Sequence, residues 1–259
     1  MAKLTKEEIK RHNAAVEILN KEHLNFEEKL FVYENWNEGA TSVNSEAGAF
    51  FTPEGLARDF VLEIYEGGNV VDLCAGIGML SFFAFHYNKC NVTCIELNPT
   101  YLEVGKKLLP EATWINDSIF NYKSFGHFDQ AISNPPFGKI KTGNDQEIKD
   151  DLKYKGAEFD LITIEIASKI SDYGTFLIPQ MSTPFRYSGA PSFQDLRIDS
   201  KGYNPNGLTP PAKVQKFIKE TGFDYLFNVG IDTNYYKNEW KGVSPTCEIV
   251  NFDFAGIKD

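Results

Sequence analysis

Two short stretches hold residue types that could do chemistry. The first is Asp72-Leu73-Cys74-Ala75-Gly76-Ile77-Gly78, a carboxylate at the end of an apolar run followed by two glycines. Residues 69–73 read as a strand and 79–87 as a helix, so the glycines fall where the chain turns out of a strand. Glycines there let the backbone approach a ligand closely, and open α/β sheets bind ligands at the C-terminal ends of their strands. A dinucleotide fingerprint needs a third glycine where this chain has Ser81, so a nucleoside without a pyrophosphate fits better. Glu96 closes the next strand 20 residues after Gly76, the place from which a carboxylate receives ribose hydroxyls. Taken alone, the glycine pair is as well explained by a plain strand–helix turn; Glu96 at that spacing favours the nucleoside. Asp117, after the third strand, could supply a carboxylate or amide to an adenine edge, and equally Asp117 or Ser118 could cap a helix.

The second stretch is Asn134-Pro135-Pro136-Phe137-Gly138, at the end of a fourth strand. Two prolines lack N–H donors and force an extended chain. An exocyclic amine could donate its two hydrogens to the Asn134 side chain and the Pro135 carbonyl, leaving its lone pair free for an electrophilic methyl group. Phe137 offers a flat face to a planar base, and such stacking contributes roughly 1–3 kcal/mol per base. A rigid turn with a core phenylalanine is the bland alternative.

The elements that must position these residues alternate between strand and helix. Strands are expected at 91–96, 113–115, 128–134, 174–179, 225–231 and 246–254, with helices at 101–109, 159–170 and 211–221. Such alternation implies a mostly parallel sheet covered on both faces, and the helix-free link before the last strand permits an antiparallel hairpin. The first 49 residues read as two amphipathic helices, each with a capping box (Thr5 with Glu8, Asn25 with Glu28), and then a Gly/Ser/Asn-rich loop over 37–49. A helical extension, 1–49, thus precedes a domain spanning 50–259.

These motifs, in this order, resemble those of class I S-adenosylmethionine-dependent amino-methyltransferases, and Phe50-Phe51-Thr52-Pro53 resembles the Phe-x-Thr-Pro element of DNA N6-adenine methyltransferases. The resemblance implies a Rossmann-like fold, with a mostly parallel seven-stranded sheet ending in an antiparallel hairpin, plus N-terminal helices. It also implies S-adenosylmethionine as cofactor, surrounded by Phe51, Thr52, Pro53, Asp72, Cys74, Ala75, Gly76, Gly78, Glu96, Asp117, Ser118 and Asn134. Asn134, Pro135, Pro136 and Phe137 would hold the target amine. Thr52 and Pro53 are also explained as the cap and first residue of a helix. The implied substrate is DNA. Ribosomal-RNA-type adenine methyltransferases are the nearest rivals, since they too are compact and carry Asn-Pro-Pro-Phe-Gly. Glutamine N5-methylation is less well matched because Phe137 stands where those enzymes usually have Tyr, and a non-catalytic acidic binding protein is the remaining alternative.

Composition bounds the partners. Twenty-six Lys+Arg against 36 Asp+Glu leave a net charge of −10, which argues against a broad polycationic surface but not against a local basic cleft. Three segments could recognise nucleic acid: 139–155, 182–210, and 234–241 with Tyr235, Tyr236, Trp240, Lys237 and Lys241. Ordinary solvated loops are the alternative for each. Four scattered cysteines and four scattered histidines suggest no metal site, and reduced thiols in a cytoplasmic protein are expected. No membrane partner is expected, and the N-terminal helices could pack on the domain, contact substrate or mediate a homodimer.

Overall fold

Val70, Val71 and Leu73 are fully buried and Asp72 nearly so, the signature of a central strand covered on both faces. The computed structural model describes residues 5–37, 50–140, 151–199, 202–204, 207–227, 230–241 and 244–257. In chain order these form α1 (Lys6–Leu19), α2 (Phe26–Asn35), α3 (Glu54–Phe60), β1 (Asn69–Leu73), α4 (Met79–Asn88), β2 (Asn91–Ile95), α5 (Pro99–Leu108) and β3 (Thr113–Ile115). There follow β4 (Phe128–Ser133), α6 (Phe159–Ile170), β5 (Ser171–Pro179), β6 (Phe185–Arg186), β7 (Gln194–Asp195), α7 (Ala212–Thr221), β8 (Leu226–Phe227) and β9 (Cys247–Asp253).

Among the described residues the main sheet has seven strands in the order β3-β2-β1-β4-β5-β9-β8, and β6 and β7 form a separate antiparallel pair. Strands β1 to β5 are mutually parallel, and β9 runs antiparallel to both of its neighbours, so six strands share one direction. The Rossmann-like expectation holds. Its last hairpin is reduced: β8 is two residues long, and the link to β9 contains a 3-10 turn, Thr233–Tyr236.

From β1 the chain winds to β2 and β3 on one side, then returns to build β4 and β5 on the other. The crevice at this reversal is where such sheets bind ligands. Register pairs Asp72 with Ile132, so the Asp72–Gly78 turn and the Asn134–Phe137 turn leave the sheet side by side. One core cluster joins α1 through α5 across one face of the sheet; the other gathers α6 and α7 on the opposite face.

Both N-terminal capping boxes form as expected. The loop expected over 37–49 lies, from residue 38 on, outside the described residues. Thr52 does not cap α3; Pro53 holds that position with no side-chain cap, so the expected capping role is corrected. Asn98 caps α5, with Pro99 at the first helical position, two residues earlier than the expected start.

Gly78 caps α4 at φ 87°, a left-handed conformation, and a Cβ there would lie 2.9 Å from Cη2 of Trp114. Gly78→Ala therefore meets both backbone strain and overpacking, together about 2–4 kcal/mol. A fall in melting temperature of roughly 4–10 °C is expected; an unchanged one would show that Trp114 yields freely.

Candidate cofactor and amine-binding site

A cavity of about 540 Å³ opens at the β1–β4 crevice. Phe51, Thr52, Asp72, Cys74, Ala75, Gly76, Glu96, Ser118, Asn134 and Pro136 all line it. Pro53, Gly78, Asp117, Pro135 and Phe137 do not contribute to its wall. Gly78 instead sets the backbone turn, and Asp117 bonds to its own loop. Its Oδ1 accepts from the Ser118 amide at 2.7 Å and from Asn121 Nδ2 at 2.6 Å, while Ser118 caps the following 3-10 turn.

Asp72 is 1% exposed, and burial pushes its pKa up to about 7. The Ser81 hydroxyl donates to its Oδ2 at 2.6 Å and opposes that shift, whereas the Glu96 charge adds to it. Asp72 Oδ1 is buried without a hydrogen-bond partner. An unpaired buried carboxylate oxygen costs stability and invites a donor or a cation. Glu96 accepts from the Gly76 amide at 2.7 Å through Oε2 and from the Asn98 amide at 2.7 Å through Oε1, which ties the glycine turn to the end of β2. Gly76 has φ 59°, and a Cβ there would lie 3.3 Å from the Phe51 ring. Cys74 occupies the same left-handed region at φ 65° although it carries a side chain.

Asn134 has a defined polarity. Its Nδ2 donates to the Phe50 carbonyl at 2.8 Å and to Thr52 Oγ1 at 3.0 Å. Both donors are thereby used, and Oδ1 is buried with no partner. Phe50 also packs on Phe137, with ring centroids 5.7 Å apart. The Phe-Phe-Thr segment and the Asn-Pro-Pro-Phe turn thus form one unit that presents an acceptor oxygen. Behind it, the Gly138 amide donates to Asp160 Oδ1 at 3.2 Å.

Sequence reasoning did not assign Leu97, Asn98, Tyr101, Ile119, Phe120, Ile140 and Phe159 to this wall. They are mostly apolar residues of ordinary helix and loop pattern, which bear no signal of their own. Their proximity follows only from the sheet order.

The three candidate recognition segments fare differently. Of 139–155, residues 141–150 lie outside the described set; the Lys153 and Tyr154 amides bind buried Glu165. Within 182–210, Arg197 pairs with Asp195 and Asp224, and Tyr203 is exposed. The stacking role expected for 234–241 is corrected: Trp240 is buried, Tyr236 donates to Asp59, and Lys241 donates to two backbone carbonyls, leaving Tyr235 as the exposed ring. The Tyr236 ring lies against Gly55 of α3 rather than in solvent.

Glu248 of β9 fastens the start of the 182–210 segment. It is 1% exposed and accepts from Gln180 Nε2, the amides of Tyr187 and Ser188, and the Ser188 hydroxyl. Glu248→Gln would turn a donor toward these donors, and a loss of about 2–4 kcal/mol is expected in urea unfolding. An unfolding midpoint equal to the wild type's would contradict the clasp.

The fold is the Rossmann-like one shared with the methyltransferase structures that this chain resembles. Residues 54–157, the segment carrying both turns, match the family model described as "Methyltransferase small domain". No curated protein matches the sequence. A putative RNA methyltransferase from Pyrococcus horikoshii aligns over 96% of this chain and 98% of its own, with a TM-score of 0.50 and 17% identity. A type I restriction-modification methyltransferase subunit from Streptococcus thermophilus gives 0.53 at 15% identity, covering 86% of this chain but 48% of the subunit. A second type I restriction-modification structure likewise gives 0.53 at 17% identity, with 88% and 48% covered. At these identities the likeness is one of fold.

Proposed function

We propose that this chain is an S-adenosylmethionine-dependent methyltransferase acting on the N6 amine of adenine in DNA. The carrying observation is the buried, unpartnered Asn134 Oδ1, fixed as an acceptor by Phe50 and Thr52 beside the cavity. An amide oxygen held this way suits a neutral exocyclic amine, whose hydrogens it can accept.

The residues present fit the cofactor. The cavity has the volume typical of a small-molecule site. The close approach of Gly76 to Phe51, the Glu96 carboxylate and the unpaired Asp72 Oδ1 suit a nucleoside bearing a cationic amino acid tail. When bound, S-adenosylmethionine supplies an electrophilic methyl group on a sulfonium. The protein then contributes orientation: Asn134 Oδ1 and the Pro135 carbonyl direct the amine lone pair, and Phe137 stacks on the base. A base in a duplex must first be flipped out of its stack.

RNA is the second reading. It is favoured by the match in size to the Pyrococcus horikoshii protein, whereas the type I subunits are about twice as long as the shared part. Purified protein with methyl-labelled S-adenosylmethionine, offered duplex DNA, structured RNA and a protein extract, decides between them. Label recovered from DNA as N6-methyladenine supports the first reading. Label in RNA alone supports the second. Transfer to protein alone, or no cofactor binding at all, overturns both.

A further inference from the structure

Resting on the cofactor reading above, we propose that Trp36 is a positioning residue of the S-adenosylmethionine cavity, through which the N-terminal helices become part of the site.

Trp36 closes α2 and is 5% exposed, though it lies well outside the segment that matches the methyltransferase model. Its ring meets Phe51 at 5.8 Å and Tyr101 at 6.0 Å, and those two rings meet each other at 5.2 Å. Phe51 and Tyr101 both line the cavity, and Phe51 also abuts Gly76. Phe51 is thus confined between the glycine turn and a tryptophan supplied by another element. Two further bonds fix that element. Tyr33 donates its hydroxyl to the Gly78 carbonyl at 3.2 Å, and Lys241 donates to the carbonyls of Tyr33 and Trp36 at 2.8 and 2.9 Å. A lysine on the last carbonyls of a helix complements both its unpaired acceptors and its dipole. Burial lowers the Lys241 pKa to about 8, while Glu34 favours the charged form. The placement of Phe51 therefore depends on residues at both ends of the chain.

The test is calorimetric binding of S-adenosylhomocysteine, with melting of each unliganded variant measured alongside. Trp36→Ala and Trp36→Leu are expected to weaken binding about tenfold to a hundredfold, as small displacements of positioning groups do. Trp36→Phe should restore it to within about threefold, since an aromatic face is kept. Phe26→Ala is the control: Phe26, in the same α2 helix that Trp36 closes, packs on Phe82 and His86 of α4 rather than on Phe51. It should lower the melting temperature and leave the affinity unchanged. Unchanged affinity in Trp36→Leu, or equal weakening in Phe26→Ala, would overturn the proposal. Absence of binding by the wild type would instead remove the cofactor reading on which it rests.

Discussion

Asn134→Ala is expected to lower the rate of methyl transfer by roughly a hundred- to ten-thousand-fold while S-adenosylhomocysteine still binds within a few-fold of wild type. The asymmetry follows from the geometry. The side chain's Nδ2 is spent on Phe50 and Thr52, and its Oδ1 has no partner in the protein. Truncation thus removes the acceptor proposed for the target amine, and it takes away the Phe50 carbonyl's bond to Nδ2. The first effect falls on kcat. The second loosens Phe50 and Thr52, which line the cavity, and shows as a modest rise in Kd. Asn134→Asp separates the two contributions. It retains an acceptor at Oδ1 but sets a second oxygen against the Phe50 carbonyl, so intermediate activity with weaker cofactor binding is expected. Retention of more than about a tenth of wild-type kcat by Asn134→Ala would show that the orphaned oxygen is not the amine's acceptor.

The parts of this site that the sequence made legible are those where the backbone or a polar group is constrained. Gly76 and Gly78 adopt left-handed φ, Glu96 meets the Gly76 amide, and Asn134 follows a strand into two prolines; each leaves a residue type that few other situations demand. Thr52 shows the limit. Its position before a proline and a helix suggested a cap, yet its hydroxyl instead accepts from Asn134, a residue 82 positions away. Asp117 shows the converse, since one oxygen of the carboxylate that could reach a ligand is engaged locally by Ser118 and Asn121. Trp240 and Tyr236 sit among Asn, Lys and Glu, a pattern shared by wet loops and by loops that cover a core, and only the tertiary structure, which buries Trp240 and bonds Tyr236 to Asp59, separates the two. Trp36 was invisible for a related reason. An aromatic residue at the end of an amphipathic helix is ordinary, and the role proposed for it comes from ring contacts with Phe51 and Tyr101, which only the tertiary fold brings to it.

Asp72 should make the unliganded protein less stable as pH rises from about 4 to 8, because burial favours its protonated form. Its carboxyl ordinarily titrates at 3.8 and is raised to about 7 in the fold. The folded chain therefore holds this proton more tightly than the unfolded chain. The stability it gives is complete below the ordinary value and is lost as pH climbs through the raised one. A displacement of this size is equivalent to at most about 4 kcal/mol. Asp72→Asn keeps an acceptor for Ser81 and cannot ionise. The two proteins should be within about 1 kcal/mol at pH 4, and the variant more stable by about 2–4 kcal/mol at pH 8. Taking the difference between them isolates Asp72 from Glu34, Glu239 and Asp160, whose pKa values burial also raises. The same strain favours ligand binding. A cationic ligand beside the unpaired Oδ1 stabilises the ionised form, so S-adenosylmethionine should raise the wild-type melting temperature more at pH 8 than at pH 5 and release a fraction of a proton. Parallel stability profiles for wild type and Asp72→Asn across that range would mean that Asp72 is ionised throughout, and that Ser81 alone is enough to hold its charge.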